Sequence, residues 1–279
     1  MQDQIEITSP APGYWRASFR NPPINLIDPD TITELSRLVS RLETESDVKV
    51  IVFESRDPDF FLAHYDVLAD KARTAAMERG PTEMHPWLDV LVRLSRAPVV
   101  SIASIRGRAR GAGSEFALSC DIRFASAEKA ILGQFEVGVG AVPGGNPMAR
   151  LAGLMGRGRA LEVVLGADDF PGVLAERYGY VNRAVPDAEL DAFVDSFARR
   201  LAGFDKTALA EAKHFVDQVS LPDDAVFPPA LDNFFVSVAR PATKARMAKL
   251  LEAGLQRRSD VELDLGGHVA LVTEARIDG

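Results

Sequence analysis

Apolar positions along this chain recur with more than one period, and each change of period marks a change of element. Leu35, Leu38, Val39 and Leu42 fall three and four residues apart, the spacing that gathers them on one helix face. Asp28-Pro29 offers that helix an N-cap acceptor and a first-turn proline after the proline-rich connection NPPINLID. An earlier strand is expected around Tyr14 to Phe19. VKVIVFES, from Val48 to Ser55, is a short apolar run rich in β-branched residues and bounded by charge, which predicts a buried strand. Leu68 to Arg96 reads as helical with a break at Gly80-Pro81, and APVVSIASI as a second buried strand. CDIRFAS gives a third, AILGQFEVGVG a fourth with a loop, and helices are expected in MARLAGLMGRGRALEVVLG and DAELDAFVDSFARRLAGF. Strands alternating with helices place the chain in the α/β class. From about Leu201 the pattern is helical only, so 1–200 is expected to form the core and 201–279 a helical C-terminal subdomain. The tail ARIDG is expected to fray.

Composition narrows the partners. The chain is 47% hydrophobic and 26% charged, which suits a water-soluble globular protein with a substantial core. A net charge of -8, with no block of Lys or Arg, argues against nucleic acid as a partner. Cys120 has no second cysteine to pair with, and His64, His85, His214 and His268 are too scattered for zinc-site spacing, so no metal is expected. A basic-then-apolar leader and a membrane-length apolar run are both lacking in the sequence, so the expected setting is cytoplasmic with no membrane partner.

The candidate chemistry begins at RGRARGAGSEFALSCD, a glycine turn between a strand and an apolar helix, with the acid Glu115 inside it. Backbone N–H groups at a helix start bind anions, but a phosphate loop would need Gly-Lys-Ser/Thr where this chain has Gly113-Ser114-Glu115. A dinucleotide fingerprint fails as well, because Gly111 and Gly113 are followed by Phe116. Alone, Glu115 would be a first-turn acid contributing about 0.3 to 1 kcal/mol through the helix dipole. Further along, GQFEVGVGAVPGGN holds a second lone carboxylate, Glu136, among small and apolar residues before a glycine turn. Two such acids suggest an acid/base pair. Arg106, Arg108 and Arg110 read as a basic patch on a solvated turn, Trp87 as packing, and Asp168-Asp169 as a helix cap.

These segments, taken in order, resemble the enoyl-CoA hydratase/isomerase (crotonase) superfamily over about Trp15 to Leu255. The matching stretches are NPPINLID, DPDFFLAHYDV, APVVSIASIRGRARGAGSEFALSCDIRFAS, LGQFEVGVGAVPGGNPMARLAGLMGRGRALEVVLGA and AERYGYVNRAVPDAEL. The resemblance implies a crotonase-like spiral of ββα turns, with a helical C-terminal subdomain that serves trimerisation. Homotrimers, or hexamers built as dimers of trimers, are the expected assembly. It also implies an acyl-CoA thioester substrate and no separate cofactor, since coenzyme A is part of the substrate.

By position in the motifs, the N–H groups of Tyr65 and Ala112 would form an oxyanion hole for the thioester carbonyl. Glu136 would donate a proton to C2, and Glu115 would orient or deprotonate water. Gly144 would help hold that water, and Ala63, His64, Asp66 and Gly111 would line the substrate and water site. Retention of both acids favours hydration of a trans-2-enoyl-CoA. The same scaffold also serves isomerases, hydrolases and carbon–carbon lyases, and it occurs in scaffold or RNA-associated relatives. His64 stands where the family usually has glycine. Its imidazole is either a third catalytic group, a contact on the CoA side, or a loop side chain turned to solvent.

Overall fold

The computed structural model describes residues 3–274, so the ARIDG tail lies outside the described residues. The chain alternates between two sheets. Strands β1 (Ile5–Ala11), β2 (Tyr14–Phe19) and β3 (Val50–Ser55) open the larger sheet, and β4 (Phe60–Leu62) starts the smaller one. Then β5 (Val100–Ile105) returns to the large sheet, β6 (Arg108–Arg110) to the small, β7 (Ile122–Ser126) to the large and β8 (Ile131–Gly133) to the small. Finally β9 (Asp169–Pro171) ends the small sheet and β10 (Arg183–Val185) the large. The large sheet runs β1-β2-β3-β5-β7-β10, parallel except for the β1/β2 pair. The small sheet runs β4-β6-β8-β9, antiparallel only at β8/β9. One strand from each sheet followed by helix is the ββα spiral that the resemblance implied.

Sequence explains most of these elements. Buried β-branched and aromatic residues in β3 suit a central parallel strand, which is covered on both faces. The Pro29–Thr44 helix starts on a capping box in which Asp28 accepts from the Thr31 N–H while Thr31 Oγ1 accepts from Asp28 N–H. It buries Leu35, Leu38, Val39 and Leu42 in the main core. Beyond 201 the regular structure is helical: Lys206–Ser220, a short 3-10 turn, Phe227–Val238, Pro241–Ala253, Asp260–Leu263 and Leu265–Glu274. Leu250, Leu255, Val261, Leu265 and Val269 from this region pack around Phe135, Val139 and Ala167. Among the described residues no helix is long and apolar enough to cross a membrane.

Two segments depart from the expected pattern. Leu68 to Arg96 is not one broken helix but a five-residue helix, Lys71–Ala75, a long polar loop, and the Pro86–Arg96 helix. The Asp89 carboxylate accepts from both the N–H and the hydroxyl of Thr82, which ties this loop onto the helix. In AILGQFEVGVG the strand stops at Gly133, and Glu136–Val139 forms a single helical turn closed by Gly140 at φ +89. That positive φ is one glycine adopts without penalty.

Candidate active site

Neighbouring strands of the small sheet place the expected site residues side by side. β4, β6 and β8 are adjacent and parallel, so their C-terminal ends emerge together. Tyr65 follows shortly after β4, Ala112 after β6 and Glu136 after β8. The loops are tied together by backbone bonds from Arg110 N–H to the Ala63 carbonyl, 3.1 Å, and from Gly111 N–H to the Gly133 carbonyl, 3.0 Å. Gly113 allows the close approach: a Cβ there would fall 1.9 Å from the Leu62 carbonyl oxygen.

Both expected oxyanion donors are available. Ala112 opens the Ala112–Ser119 helix, where the first N–H groups have no intrahelical acceptor and the dipole is positive. At Tyr65 the bridge from Ile27 takes the His64 carbonyl and the Asp66 N–H, and it passes over the Tyr65 N–H. That N–H has no acceptor among the described residues.

Glu115 and Glu136 are both buried, yet they are held differently. Glu115 Oε2 accepts from the Trp87 indole N–H at 2.8 Å, and Oε1 from the Gly145 N–H at 2.7 Å. Burial raises the Glu115 carboxyl above its ordinary value, while those two donors and the Arg150 guanidinium oppose the rise. At Glu136 only its own backbone N–H opposes the rise, and its Oε2 is buried without a hydrogen-bond partner among the described residues. Burial, and then the neighbouring Glu115 charge, push Glu136 up to about 8. The glycine turns beside them are crowded: a Cβ at Gly111 would lie 2.7 Å from Glu136 Oε1, and one at Gly145 would lie 2.3 Å from Glu115 Oε2. Gly111 sits at φ +50, and Gly144 backs onto Leu231 and Phe234.

Several side chains stand differently from the sequence reading. Trp87 does more than pack, since its indole holds Glu115. The three arginines do not form a solvated patch: Arg106 pairs with Asp187 and Asp191, Arg108 donates to the Leu263 carbonyl, and Arg110 is buried against Asp169. Asp169 is therefore an ion-pair partner rather than a cap, while Asp168 Oδ1 accepts from the Asp169 N–H. His64 is 1% exposed, not turned to solvent. Its Nδ1 lies 2.8 Å from the Tyr65 carbonyl oxygen, and its Nε2 lies 2.9 Å from Glu262 Oε1. Asp66 Oδ1 accepts from the Gln256 side-chain amide and from the Leu68 N–H.

Trp87, Gly145, Gln256 and Glu262 are the contacts that the sequence reading missed. Glu262 gave no such signal, because in DVELDLGG it sits between Asp260 and Asp264 in an acidic run rather than as a lone acid. A cavity of about 390 Å³, lined in part by Met84, Leu88, Leu231 and Phe235, shares Leu231 with the wall behind Gly144.

Known proteins share this arrangement of chain. The enoyl-CoA hydratase/isomerase family model matches residues 15–241. A crystal structure from Streptomyces avermitilis, provisionally described as an enoyl-CoA hydratase, superposes with a TM-score of 0.91 at 44% identity, covering 96% of each chain. A short-chain-enoyl-CoA hydratase of Clostridium acetobutylicum is 29% identical over 195 residues, 70% of this chain and 74% of its own. A crotonyl-CoA hydratase of Syntrophomonas wolfei is 29% identical over 230 residues, covering 82% of this chain and 87% of that one.

Proposed function

The chain belongs to the enoyl-CoA hydratase/isomerase family, and from that premise we propose that it hydrates a trans-2-enoyl-CoA to the 3-hydroxyacyl-CoA. The observation that carries this reading is the unequal holding of two adjacent buried acids. Tyr65 and Ala112 N–H groups bind the thioester carbonyl and stabilise the enolate as charge reaches the oxygen. Glu115, held by Trp87 and Gly145, takes a proton from water as the hydroxyl bonds to C3. Glu136, protonated near neutral pH, gives its proton to C2. Environments that set two carboxyls apart are how one site supplies both a base and an acid.

A hydrolase reading would require His64 to face the substrate, and the pairing of its ring with Glu262 weighs against that. The loop around Met84 and His85, which borders the 390 Å³ cavity, sets the acyl preference in this proposal. We also propose that the chain works in the cytoplasm as a homotrimer or a dimer of trimers. Support for assembly comes from the Lys206–Ser220 helix, which has no buried residue in the single chain and exposes Phe215, Val216 and Val219.

Turnover tests the reaction. Crotonyl-CoA should lose its conjugated ultraviolet absorbance on addition of the enzyme, and Glu136→Gln should slow this by at least about 100-fold. Full activity in that variant removes Glu136 from the chemistry. Untouched crotonyl-CoA, with free CoA thiol released from another acyl thioester, replaces hydration with hydrolysis.

A further inference from the structure

His64 and Glu262 are buried titratable side chains for which the hydration reaction has no use, and they meet directly behind the oxyanion loop. We propose that Glu262 holds His64 as an imidazolium, and that His64 is a positioning residue which braces the Tyr65 backbone and sets positive charge behind the enolate oxygen. This rests on the reading of Tyr65 as an oxyanion donor.

Hydrogen-bond chemistry constrains the protons. The Tyr65 carbonyl can only accept, so Nδ1 at 2.8 Å carries a hydrogen. Nε2 faces Glu262 Oε1 at 2.9 Å, and the same oxygen already accepts the Gln256 N–H at 2.6 Å. With Glu262 ionised, that oxygen accepts from both, and Nε2 is a donor too. The charged groups acting on the ring are Glu262 and Arg110, whose own charge is matched by Asp169. Burial by itself would lower the imidazole, but the charge and hydrogen bond of Glu262 and the Tyr65 carbonyl outweigh it and hold His64 above its ordinary value. Glu262 lies correspondingly below its own, with His64 overcoming the effect of burial.

The pair is also directional. Its positive end touches the residue that carries the free N–H, and its negative end lies on the far side, in the Asp260–Leu263 helix. Fixed charge aimed this way favours the enolate over the neutral carbonyl, so it should act on kcat more than on KM. The brace is anchored at several points. Gln256 Oε1 accepts from Val67 N–H, and Arg110 donates to the Glu262 carbonyl at 2.7 Å. Phe135, which precedes Glu136, meets the imidazole edge-on at 5.5 Å between ring centres.

Three measurements test the proposal. In the wild-type protein labelled with 15N-histidine, both His64 ring nitrogens should be protonated at pH 7; a neutral ring overturns the idea without any variant. Glu262→Gln keeps the side chain's shape and leaves Nδ1–H on the Tyr65 carbonyl while removing the charge. It should lower kcat on crotonyl-CoA about tenfold with KM within about twofold, a loss of about 1.4 kcal/mol. His64→Gln should lower kcat further. The probe 4-dimethylaminocinnamoyl-CoA, whose absorption moves to longer wavelength when its carbonyl is polarised, should shift strongly on the wild type and less on Glu262→Gln. No shift on the wild type removes the oxyanion reading and the brace with it. A wild-type shift that Glu262→Gln reproduces in full removes the brace alone.

Discussion

At the scale of the residue, two glutamates of identical chemistry are made unlike by their neighbours. Trp87 is the least expected of these, because its ring packs in the core while its N–H reaches Glu115. Trp87→Phe removes a donor that favours the ionised carboxyl, so Glu115 rises further and fewer molecules hold it as a base at low pH. In the proposed mechanism, kcat/KM then falls about tenfold at pH 6 and less at pH 7.5, which a pH–rate profile measures. Glu136 carries a second consequence. Its folded value of about 8 lies above the ordinary carboxyl value of 4.5, so the contribution it makes to stability is full below about 4.5 and is lost as pH rises toward 8. Glu136→Gln escapes that loss. Its melting temperature should match the wild type near pH 4.5 and exceed it by a growing margin up to pH 8, by calorimetry.

At the scale of the element, the tightest constraint is the contact of the Ala112–Ser119 helix with β4. Gly113→Ala would drive a methyl group into the Leu62 carbonyl, which is backbone and cannot rotate away. A cost of about 3 kcal/mol or more is expected, read as a lower urea midpoint, with activity lost as the helix start moves. Elements with a local cause were legible in the sequence: the capped Pro29–Thr44 helix, β3 and β5 all follow from spacing and β-branched content. Those with a distant cause were not. The loop before Pro86 is tied to Asp89 inside the next helix, and the short turn at Glu136 follows the end of β8 against β9. The site divides the same way. Glu115 and Glu136 stood out as lone acids in apolar runs, whereas Trp87 and Glu262 matter only through contacts 28 and 198 residues away in the chain. No periodicity encodes such a pairing.

At the scale of the whole molecule, the spiral gathers the site from one edge of a small sheet and the last helices fold back over it. The bare Lys206–Ser220 helix belongs to this scale as well. In the proposed assembly its exposed Phe215, Val216 and Val219 are covered by other copies, and Val219, at 87% exposure, is the most open of them. Light scattering should give the mass of three or six chains, and Val219→Lys should lower it if that face is used; a single-chain mass for the wild type removes the assembly proposal. The His64–Glu262 contact also bears on how the protein is made. A ribosome delivers His64 early and Glu262 only 198 residues later, so the proposed brace waits for a partner made much later. Strands β1 to β10 all precede Glu262 in the chain, so in the proposed arrangement His64 is set only after both sheets have been made.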